Sequence, residues 1–533
     1  MSEIGTVEFV FLLLLLFIVV FGLLARKLRV PYPIVMVVGG LCLGFVPGIP
    51  NITLNPELIF LVVLPPLLYA SAWTTSWRDF RFNFISIFFL AFGLVGFTVA
   101  CVALLAPSFL MGFDWRLGLV LGAVVAPTDA IAATSIARRV GLPQRIVDVL
   151  EGESLINDAT GLLALQFAIA IMVSRTIPTV STAVLTMVWL IVGGVGIGLL
   201  GGWIVDYVER QVDHGPIEIT LSILTPYAVY LAADKVHASG VLAVVACGLF
   251  LSRRSTQFFS PTVRIQVWAF WESFTFVLNG LVFVLIGLQL PYIRLSIRGL
   301  SLPQLLLDGA LFSALLIVLR LVWIYPGSAV AYFLRRRLAH QRGKRPEPRQ
   351  IFVVGWTGMR GVVSLAAAIA LPTVLADGSP FPLRNLIVFL TFSVILVTLV
   401  LQGITLPPLI RRLGLVGVKG PNCEETEARR IAIEAAVSHL EDAKGRDSAD
   451  AAKLYEDLVG HYRARLAGLR QGSERRAEAA DHDRHIELSR EATRIERETV
   501  VRLRNDGRIN DEVLRRLERE FDLSETRFAT ADE

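Results

Sequence analysis

Residues 152–159 read Gly-Glu-Ser-Leu-Ile-Asn-Asp-Ala, and they lie inside an apolar run that is long enough to cross a membrane. A charged side chain at bilayer depth costs at least ~3 kcal/mol on insertion scales, so such a residue usually has a partner or a function. On a helix, Ser154 and Asp158 share one face, whereas Glu153 and Asn157 share the adjacent face. A carboxylate beside a hydroxyl and an amide suits a small hard cation or a proton, which indicates ion transport.

The composition is that of a polytopic membrane protein. Of the 533 residues, 54% are hydrophobic and 18% are charged, and the mean hydropathy is +0.61. No soluble domain of this length needs so many apolar runs. We count about thirteen runs of membrane length, which predicts an all-α protein. They lie near residues 8–25, 33–47, 57–75, 84–107, 115–138, 147–173, 183–207, 217–235, 238–252, 264–290, 304–334, 350–375 and 383–412.

The basic residues predict how these spans are oriented. With the N-terminus outside, the loops on the cytoplasmic side carry roughly 22 Lys and Arg, and the opposite loops carry roughly six. One missed or added span would scramble this bias, so the bias supports the count. We therefore expect residues 1–415 to form a transmembrane domain among the lipids of the cell inner (plasma) membrane.

Residues 416–533 differ in composition and form the predicted tail. They are rich in Glu, Arg and Ala, with spaced apolar residues such as Ile433 and Leu514, which predicts soluble helices with one apolar stripe. Because they follow a cytoplasmic exit, we expect this helical tail in the cytoplasm. Two interpretations stay open: the tail binds a regulator or self-associates, or it is a plain solvated extension.

An odd number of spans favours two inverted repeats. Two six-helix units joined by one extra crossing have opposite orientations, as in many secondary transporters. If spans 1–6 and 8–13 are the repeats, span 5 corresponds to span 12. Span 5 contains Ala126-Pro127-Thr128-Asp129, and span 12 contains residues 355–361, Gly-Trp-Thr-Gly-Met-Arg-Gly. Proline and clustered glycine break helices, so we expect broken helices that expose backbone groups near the membrane midplane.

Asp158 is the leading candidate for the ion carrier. An acid that binds a cation and a proton in turn needs a pKa near the working pH, which burial and hydrogen bonds can set. Ser154, Asn157 and Thr128 are the predicted neighbours. The alternative is a structural aspartate that an arginine neutralises. Asp129 follows the break in span 5, where we favour neutralisation of a half-helix dipole over direct ion binding.

Four further charges predict a structural network within the spans. Arg360 needs a carboxylate or the negative ends of half-helices, and Glu153 is its expected partner. Glu272 in span 10 and Arg320 in span 11 are expected to pair with each other or to join Arg360. For all four the favoured role is to fix the helices in one arrangement.

Several classes of function lack support in the sequence. We find no P-loop, nucleophile elbow or zinc-binding His pattern, so we expect neither an enzyme nor a cofactor, and the basic loops indicate lipid rather than nucleic acid. A channel, or a sensor that signals through the tail, is the alternative class. No selectivity-filter motif supports it.

The chain resembles the sodium/proton exchangers of the monovalent cation:proton antiporter-1 family, over roughly residues 8–415. Six motifs in the family's order carry the resemblance. They are Leu64-Pro65-Pro66-Leu67-Leu68, Ala126-Pro127-Thr128-Asp129, the stretch 152–159, Phe270-Trp271-Glu272, Arg320, and the stretch 358–365 that reads Gly-Met-Arg-Gly-Val-Val-Ser-Leu.

The resemblance implies exchange of sodium (or lithium) for protons by a homodimer with a moving six-helix core domain. Asp158 matches the family's carrier and would hold Na+ transiently, with Asn157 beside it and with Ser154 and Thr128 as accessory ligands. Glu153 and Arg360 would form a salt bridge in the core domain. An Asn-Asp pair, rather than two aspartates, is associated in this family with electroneutral one-for-one exchange.

One departure from the family bears on the choice of ion. Several bacterial relatives place an acid shortly after the Leu-Pro-Pro motif, whereas residues 68–72 here read Leu-Tyr-Ala-Ser-Ala. The ion site is therefore expected to have one acid fewer, and K+/H+ exchange on the same scaffold is the alternative function.

Overall fold

The structure is a computed structural model of the chain. It describes residues 3–28, 30–46, 59–174, 180–291, 293, 297, 301–338, 346–375, 378–416, 423–445, 452–469 and 476–506, with four isolated positions after these. Within these ranges the chain is helical and contains no β-strand, only a single β-bridge between Val374 and Pro380. The chain divides into two compact units, Met1–Gly417 and Val418–Glu533.

Among the described residues of the first unit we number fifteen helices in chain order. They are α1 (Glu3–Leu28), α2 (Tyr32–Gly44), α3 (Ile59–Thr74), α4 (Trp77–Phe109), α5 (Trp115–Val125), α6 (Ala130–Val140), α7 (Gln144–Ser174), α8 (Val180–Glu209), α9 (Gly215–Lys235), α10 (Gly240–Phe258), α11 (Pro261–Leu288), α12 (Leu302–Leu338), α13 (Pro348–Trp356), α14 (Val362–Ile369) and α15 (Arg384–Arg412).

Every predicted apolar run coincides with a helix or with a broken pair of helices. Among the described residues, eight helices are long and apolar enough to cross a membrane, and α5 with α6 make nine if this pair, bent by 41°, is one span. The remaining runs correspond to α2, α3, α10 and the pair α13–α14, which are shorter or more charged. A total of thirteen spans requires these helices to cross the membrane as well, and this stays a prediction.

The helix breaks lie where the sequence predicts them. Helix α5 begins after Asp114, whose side chain accepts a hydrogen bond from the Leu117 amide at 2.9 Å, and ends at Val125, just before Pro127. Helix α6 begins after Asp129, whose carboxylate accepts from the Ile131 amide at 2.8 Å. Proline supplies no N–H, so a continuous helix would lose a hydrogen bond at this point.

Small residues allow helices to pack closely in this unit. A Cβ atom at Gly198 of α8 would collide with the backbone carbonyl of Ala243 in α10. Helix α8 contains further glycines at 193, 194, 196, 201 and 202. Together they superficially resemble a nucleotide-binding loop, but small residues in a spanning helix allow close helix packing.

The second unit contains three described helices: α16 (Cys423–Lys444), α17 (Ala452–Leu469) and α18 (Arg476–Asn505). Ion pairs along the surface of α16 join Arg430 to Glu427 and Glu434. Ile433 and Val459 are buried on the apolar sides of α16 and α17. That these helices are soluble and carry one apolar stripe stays a prediction.

Candidate functional site

The two helix breaks are bonded to each other. The Asp129 amide, between α5 and α6, donates to the Met359 carbonyl, between α13 and α14, at 2.8 Å. The Ser364 hydroxyl donates to the Pro127 carbonyl at 3.4 Å. Gly361 has no room for a side chain because a Cβ atom there would collide with the Asp129 carboxylate. The unpaired backbone groups of each break therefore find partners at the other break, as buried backbone must.

Helix α7 runs beside this crossing and directs two faces at it. The Asn157 amide nitrogen donates to the Thr128 hydroxyl at 2.5 Å, and the Thr128 hydroxyl donates to Glu153 Oε1 at 3.1 Å. The Ala130 amide, in the first turn of α6, donates to the Ser154 hydroxyl at 3.2 Å. Ser154 and Asp158 line a cavity, whereas Glu153 and Asn157 point into the protein. This division confirms the sorting by helical faces.

Glu153 pairs with Arg320, so the expected Glu153–Arg360 pairing is wrong. Arg320 Nη1 and Nη2 donate to the two oxygens of Glu153 at 2.5 and 2.9 Å, and both side chains are at least 98% buried. The other Arg320 donors bond the carbonyls of Val354 and Gly355 at the end of α13. A planar guanidinium can bind a carboxylate with two parallel bonds and still cap a helix end, which satisfies its desolvated donors.

Arg360 is neutralised by backbone instead of by a carboxylate. Its Nε donates to the Val125 carbonyl at 2.9 Å, at the end of α5, and its Nη1 donates to the Gly358 carbonyl in the other break. Its own amide donates to the Thr398 hydroxyl at 3.1 Å. The C-terminal ends of half-helices carry partial negative charge, and this field offsets the buried cation. The sequence argument named this alternative but preferred Glu153.

Glu272 does not pair with Arg320 either, so this expected pairing is also wrong. Glu272 is exposed and lies in the cavity wall, and among the described residues no basic side chain forms an ion pair with it. All three guanidinium nitrogens of Arg320 already donate to Glu153 or to the end of α13. A carboxylate that reaches water in the cavity needs no ion-pair partner.

The cavity that Asp158 faces has a volume of about 500 Å³. The Asp158 side chain is 8% exposed, and within the described part of the chain it accepts no hydrogen bond. Asp129 lies in the same wall, and its Oδ2 is buried with no described partner. Unsatisfied buried oxygens are uncommon, and a cation or a proton would satisfy them.

The wall from α3 supplies hydroxyl groups and no acid. Leu64, Leu67 and Leu68 line the cavity together with Ser71 and Thr74. The departure seen in the sequence therefore falls in the cavity wall itself.

Sequence reasoning missed several polar groups in this wall, namely Tyr32, Thr275, Asn279 and Ser364. Asn279 Oδ1 is buried without a partner among the described residues. The signal for two of them was present, because Glu272, Thr275 and Asn279 recur at intervals of three and four and so share one face of α11. The described residues contain no cluster of three His, Cys, Asp or Glu that could hold a resident metal ion.

Comparison with known proteins identifies the family of this arrangement. The family model for the transmembrane sodium/hydrogen exchanger matches residues 12–412. The chain belongs to this family. Its members are transporters, and the chain is accordingly a multi-pass membrane protein of the Na+/H+ exchanger family.

Three similar proteins illustrate the relationship. An uncharacterized Na+/H+ exchanger of Mycobacterium tuberculosis is 34% identical over 525 residues, which cover 95% of this chain and 94% of the relative. A sodium, potassium, lithium and rubidium/H+ antiporter of Bacillus pumilus is 31% identical, over 83% of this chain and 66% of the relative. The solved structure of the sodium proton antiporter MjNhaP1 from Methanocaldococcus jannaschii has a TM-score of 0.61 at 18% identity, over 78% of this chain and 99% of that one. This last likeness concerns the fold.

Proposed function

We propose that the protein is a secondary active antiporter that exchanges one Na+ (or Li+) for one H+, with Asp158 as the shared carrier. The observation that carries the proposal is the contrast between two acids on α7. Glu153 is neutralised by Arg320, whereas Asp158 faces a cavity whose wall offers hydroxyl, amide and carboxylate oxygens. A carboxylate without a fixed cation is available to a mobile one.

The mechanism is competition for one carboxylate. Asp158 holds either a cation or a proton, and either guest leaves it without net charge. A bare carboxylate is costly to move past an apolar barrier, so only the loaded forms cross. Each crossing in one direction with Na+ is then balanced by a return with H+, and the cycle is electroneutral and needs no ATP.

The neighbouring residues have distinct parts in this proposal. Thr128, Ser154 and Asn157 hold the break and α7 in register through the hydrogen bonds described above, and the oxygens of Thr128 and Ser154, which line the cavity, are the accessory ligands. Asp129 caps α6 through its Oδ1, which favours the structural role, while its Oδ2 remains available on the cavity side. Glu153, Arg320 and Arg360 fix the crossing without touching the ion.

The architecture that fits this cycle has thirteen spans in two inverted repeats. The hydrogen bond between the breaks of α5–α6 and α13–α14 supports the repeats, because the repeat arrangement pairs these two spans with each other. We propose that residues 1–415 are the exchanger domain of a homodimer in the plasma membrane, with the N-terminus outside and residues 416–533 as a cytoplasmic tail. The segregation of basic loops supports the orientation.

K+/H+ exchange is the second candidate. Two observations favour it: α3 contributes hydroxyls and no acid to the cavity wall, and the Bacillus pumilus relative is named as a potassium as well as a sodium antiporter. A wall with fewer charges binds a small, strongly hydrated cation less tightly, so the site should differ less in its affinity for Na+ and K+.

Purified protein in liposomes distinguishes these candidates. With a pH gradient imposed and a pH-sensitive dye inside, Na+, Li+ or K+ is added outside at matched ionic strength. We expect Na+ and Li+ to dissipate the pH gradient. Because the proposed exchange is electroneutral, an imposed membrane potential should not change its rate. Dissipation by K+ at an equal or lower concentration would assign the second candidate, and dissipation without any added cation would contradict exchange.

A further inference from the structure

A second cavity shares no lining residue with the cavity that Asp158 faces. It has a volume of about 310 Å³ and is formed by α4, the start of α7, the end of α12 and the start of α13. This volume is at the lower end of the roughly 300–1,000 Å³ that is usual for ligand pockets. Its polar lining consists of Asn83, Ser86, Arg145, Ser328, Arg335, Glu347 and Gln350.

Two arginines of different helices meet in this cavity. The Cζ atoms of Arg335 and Arg145 lie 4.7 and 5.5 Å from the centre of the same ring, that of Phe82. Both guanidiniums contact the same ring, and like charges held beside one ring repel each other. Arg335 is only 8% exposed, so its charge is poorly screened by water. Arg145 is exposed, so an anion can reach it from the solvent, and one buried and one exposed cation in the same cavity favour an anion that binds both.

The contacts of Arg335 include neutral acceptors that hold it in place. It donates to the Phe82 carbonyl at 3.0 Å, to Ser86 Oγ at 3.3 Å and to Asn83 Oδ1 at 3.4 Å. These bonds fix the guanidinium in a single orientation before any ligand arrives. A preorganised donor loses less entropy on binding than a mobile one.

Three carboxylates lie on or beside the helices that form this cavity. On α7, Asp148 accepts from Gln144 and Glu151 pairs with Arg138. Glu347 lies in the cavity wall before the first turn of α13, and it forms no ion pair with any residue in the described ranges. Its carboxylate would repel an anion that binds in the cavity.

We propose that this cavity binds a phosphate group between Arg145 and Arg335. A phosphate offers three oxygens to planar guanidiniums and relieves their repulsion, which a neutral ligand would not do. Its source is either the headgroup of an anionic lipid or a soluble phosphate compound. The last turn of α12 is basic, with Arg335, Arg336 and Arg337, and basic pockets between spanning helices at the cytoplasmic surface suit anionic headgroups.

The cavity also touches the buried pair of the ion site. Val354 lines the cavity, and its carbonyl accepts from Arg320 Nη2 at 3.1 Å. A phosphate that orders the start of α13 therefore acts on the helix whose end Arg320 holds. Binding should raise the thermal stability of the whole transmembrane unit, because a ligand that binds only the folded form shifts unfolding by mass action.

Thermal unfolding of the full-length protein in neutral detergent tests the proposal. Phosphatidic acid, zwitterionic phosphatidylcholine and inorganic pyrophosphate are titrated separately into the wild type, Arg145→Gln and Arg336→Gln. Arg336 is the matched control, because it is exposed at the same end of α12 and does not line the cavity. We expect phosphatidic acid or pyrophosphate to raise the melting temperature, with an affinity about threefold to tenfold weaker in Arg145→Gln and unchanged in Arg336→Gln.

The two sources give different outcomes within this experiment. A shift with phosphatidic acid alone identifies the lipid headgroup, and a shift with pyrophosphate that has the same dependence on Arg145 identifies a soluble phosphate. An equal loss in both variants means general charge attraction and overturns the proposal, as does the absence of a shift with either compound. Arg335→Lys, which keeps the charge but loses the planar fork, should weaken binding without unfolding the protein. The readout needs no transport, so its failure is separable from that of the proposed exchange.

Discussion

Glu153 and Asp158 lie five residues apart on one helix, and their surroundings are opposite. Glu153 is enclosed by Arg320 and the Thr128 hydroxyl, with a fixed donor for each carboxylate oxygen. Asp158 faces a cavity of about 500 Å³, and no described residue donates to it. The same chemical group is thus a structural support in one place and a candidate carrier in the other.

The difference shows what separates a structural charge from a functional one inside a membrane. A buried ion pair is stable only when each partner compensates the desolvation of the other, so removal of either partner is costly. A lone carboxylate at similar depth can be compensated only by something that comes and goes. The comparison predicts that substitution at 153 or 320 mainly affects folding, whereas substitution at 158 mainly affects transport.

The largest expected effect is the loss of exchange in Asp158→Asn. The amide cannot take up a proton or balance a cation, so we expect Na+-driven proton movement in liposomes to fall to the level of protein-free liposomes. The melting temperature in detergent should stay near that of the wild type, since Asp158 holds no described partner. Asp148→Asn makes the same chemical change ten residues away on α7 and should retain exchange. Full activity of Asp158→Asn would remove the carrier from the proposed cycle.

The second expected effect is a loss of folded protein in Arg320→Ala. This change leaves Glu153 buried without its cation, at a cost of about 3–5 kcal/mol. Arg360→Ala is the comparison, because it removes bonds to two carbonyls and orphans no carboxylate, so its cost is about 1–3 kcal/mol. Fluorescence-detected thermal unfolding of both variants ranks them. A larger loss in Arg360→Ala than in Arg320→Ala would restore Glu153–Arg360 as the important pair.

A smaller effect is expected for Thr128→Val, which separates the two sides of the comparison. The hydroxyl of Thr128 donates to Glu153 and accepts from Asn157, and its loss costs about 1–3 kcal/mol. We expect a melting temperature that falls less than in Arg320→Ala, and an exchange that is several-fold slower but not abolished as in Asp158→Asn. Thr128→Ser keeps the hydroxyl and should be close to the wild type. If the serine variant is as slow as the valine variant, the methyl group and not the hydroxyl is what matters.

The smallest effect is expected at the exposed counterpart of the buried pair, Glu427 with Arg430 in the second unit. The hydrogen bonds from Arg430 lower the pKa of Glu427 from its ordinary value of 4.5. Their contribution is therefore present above this value and is lost as the pH falls through the lowered one. Arg430→Gln should change thermal unfolding slightly at pH 7, because exposed pairs contribute little, and the change should shrink as the pH falls below 4.5. A shift at pH 7 as large as that of Arg320→Ala would contradict the role of burial.

Much of the fold could be read from the sequence because it depends on local patterns. Apolar runs predicted the helices, and Pro127 and the glycines at 358 and 361 predicted the breaks. The start of α4 was placed too late, at 84, because Ser76 caps a first turn at Trp77 that is more polar than the rest. The sorting of Ser154 and Asp158 from Glu153 and Asn157 was also predictable, since it follows from helical periodicity alone.

The partners of the charges could not be predicted in the same way. Arg320 and Arg360 are both buried arginines, and nothing in their neighbouring sequence states which of them reaches Glu153. The outcome depends on how α12 packs against α13 and on the carbonyls that each break exposes, which are long-range contacts. The partner of Glu272 was also unpredictable from the sequence. Its position within an apolar span predicted an ion pair, whereas the structure places it in the cavity wall.

The sequence by itself determined that the chain crosses the membrane many times, where its helices break and which polar side chains of α7 share a face. These features follow from hydropathy, from the missing N–H of proline and from a repeat of 3.6 residues per turn, each of which acts over a short stretch. Only the tertiary structure decided which acid receives an arginine and which is left facing a cavity. That choice is made by distances between residues far apart in the chain, and the energy of a buried charge depends on those distances more than on its own identity.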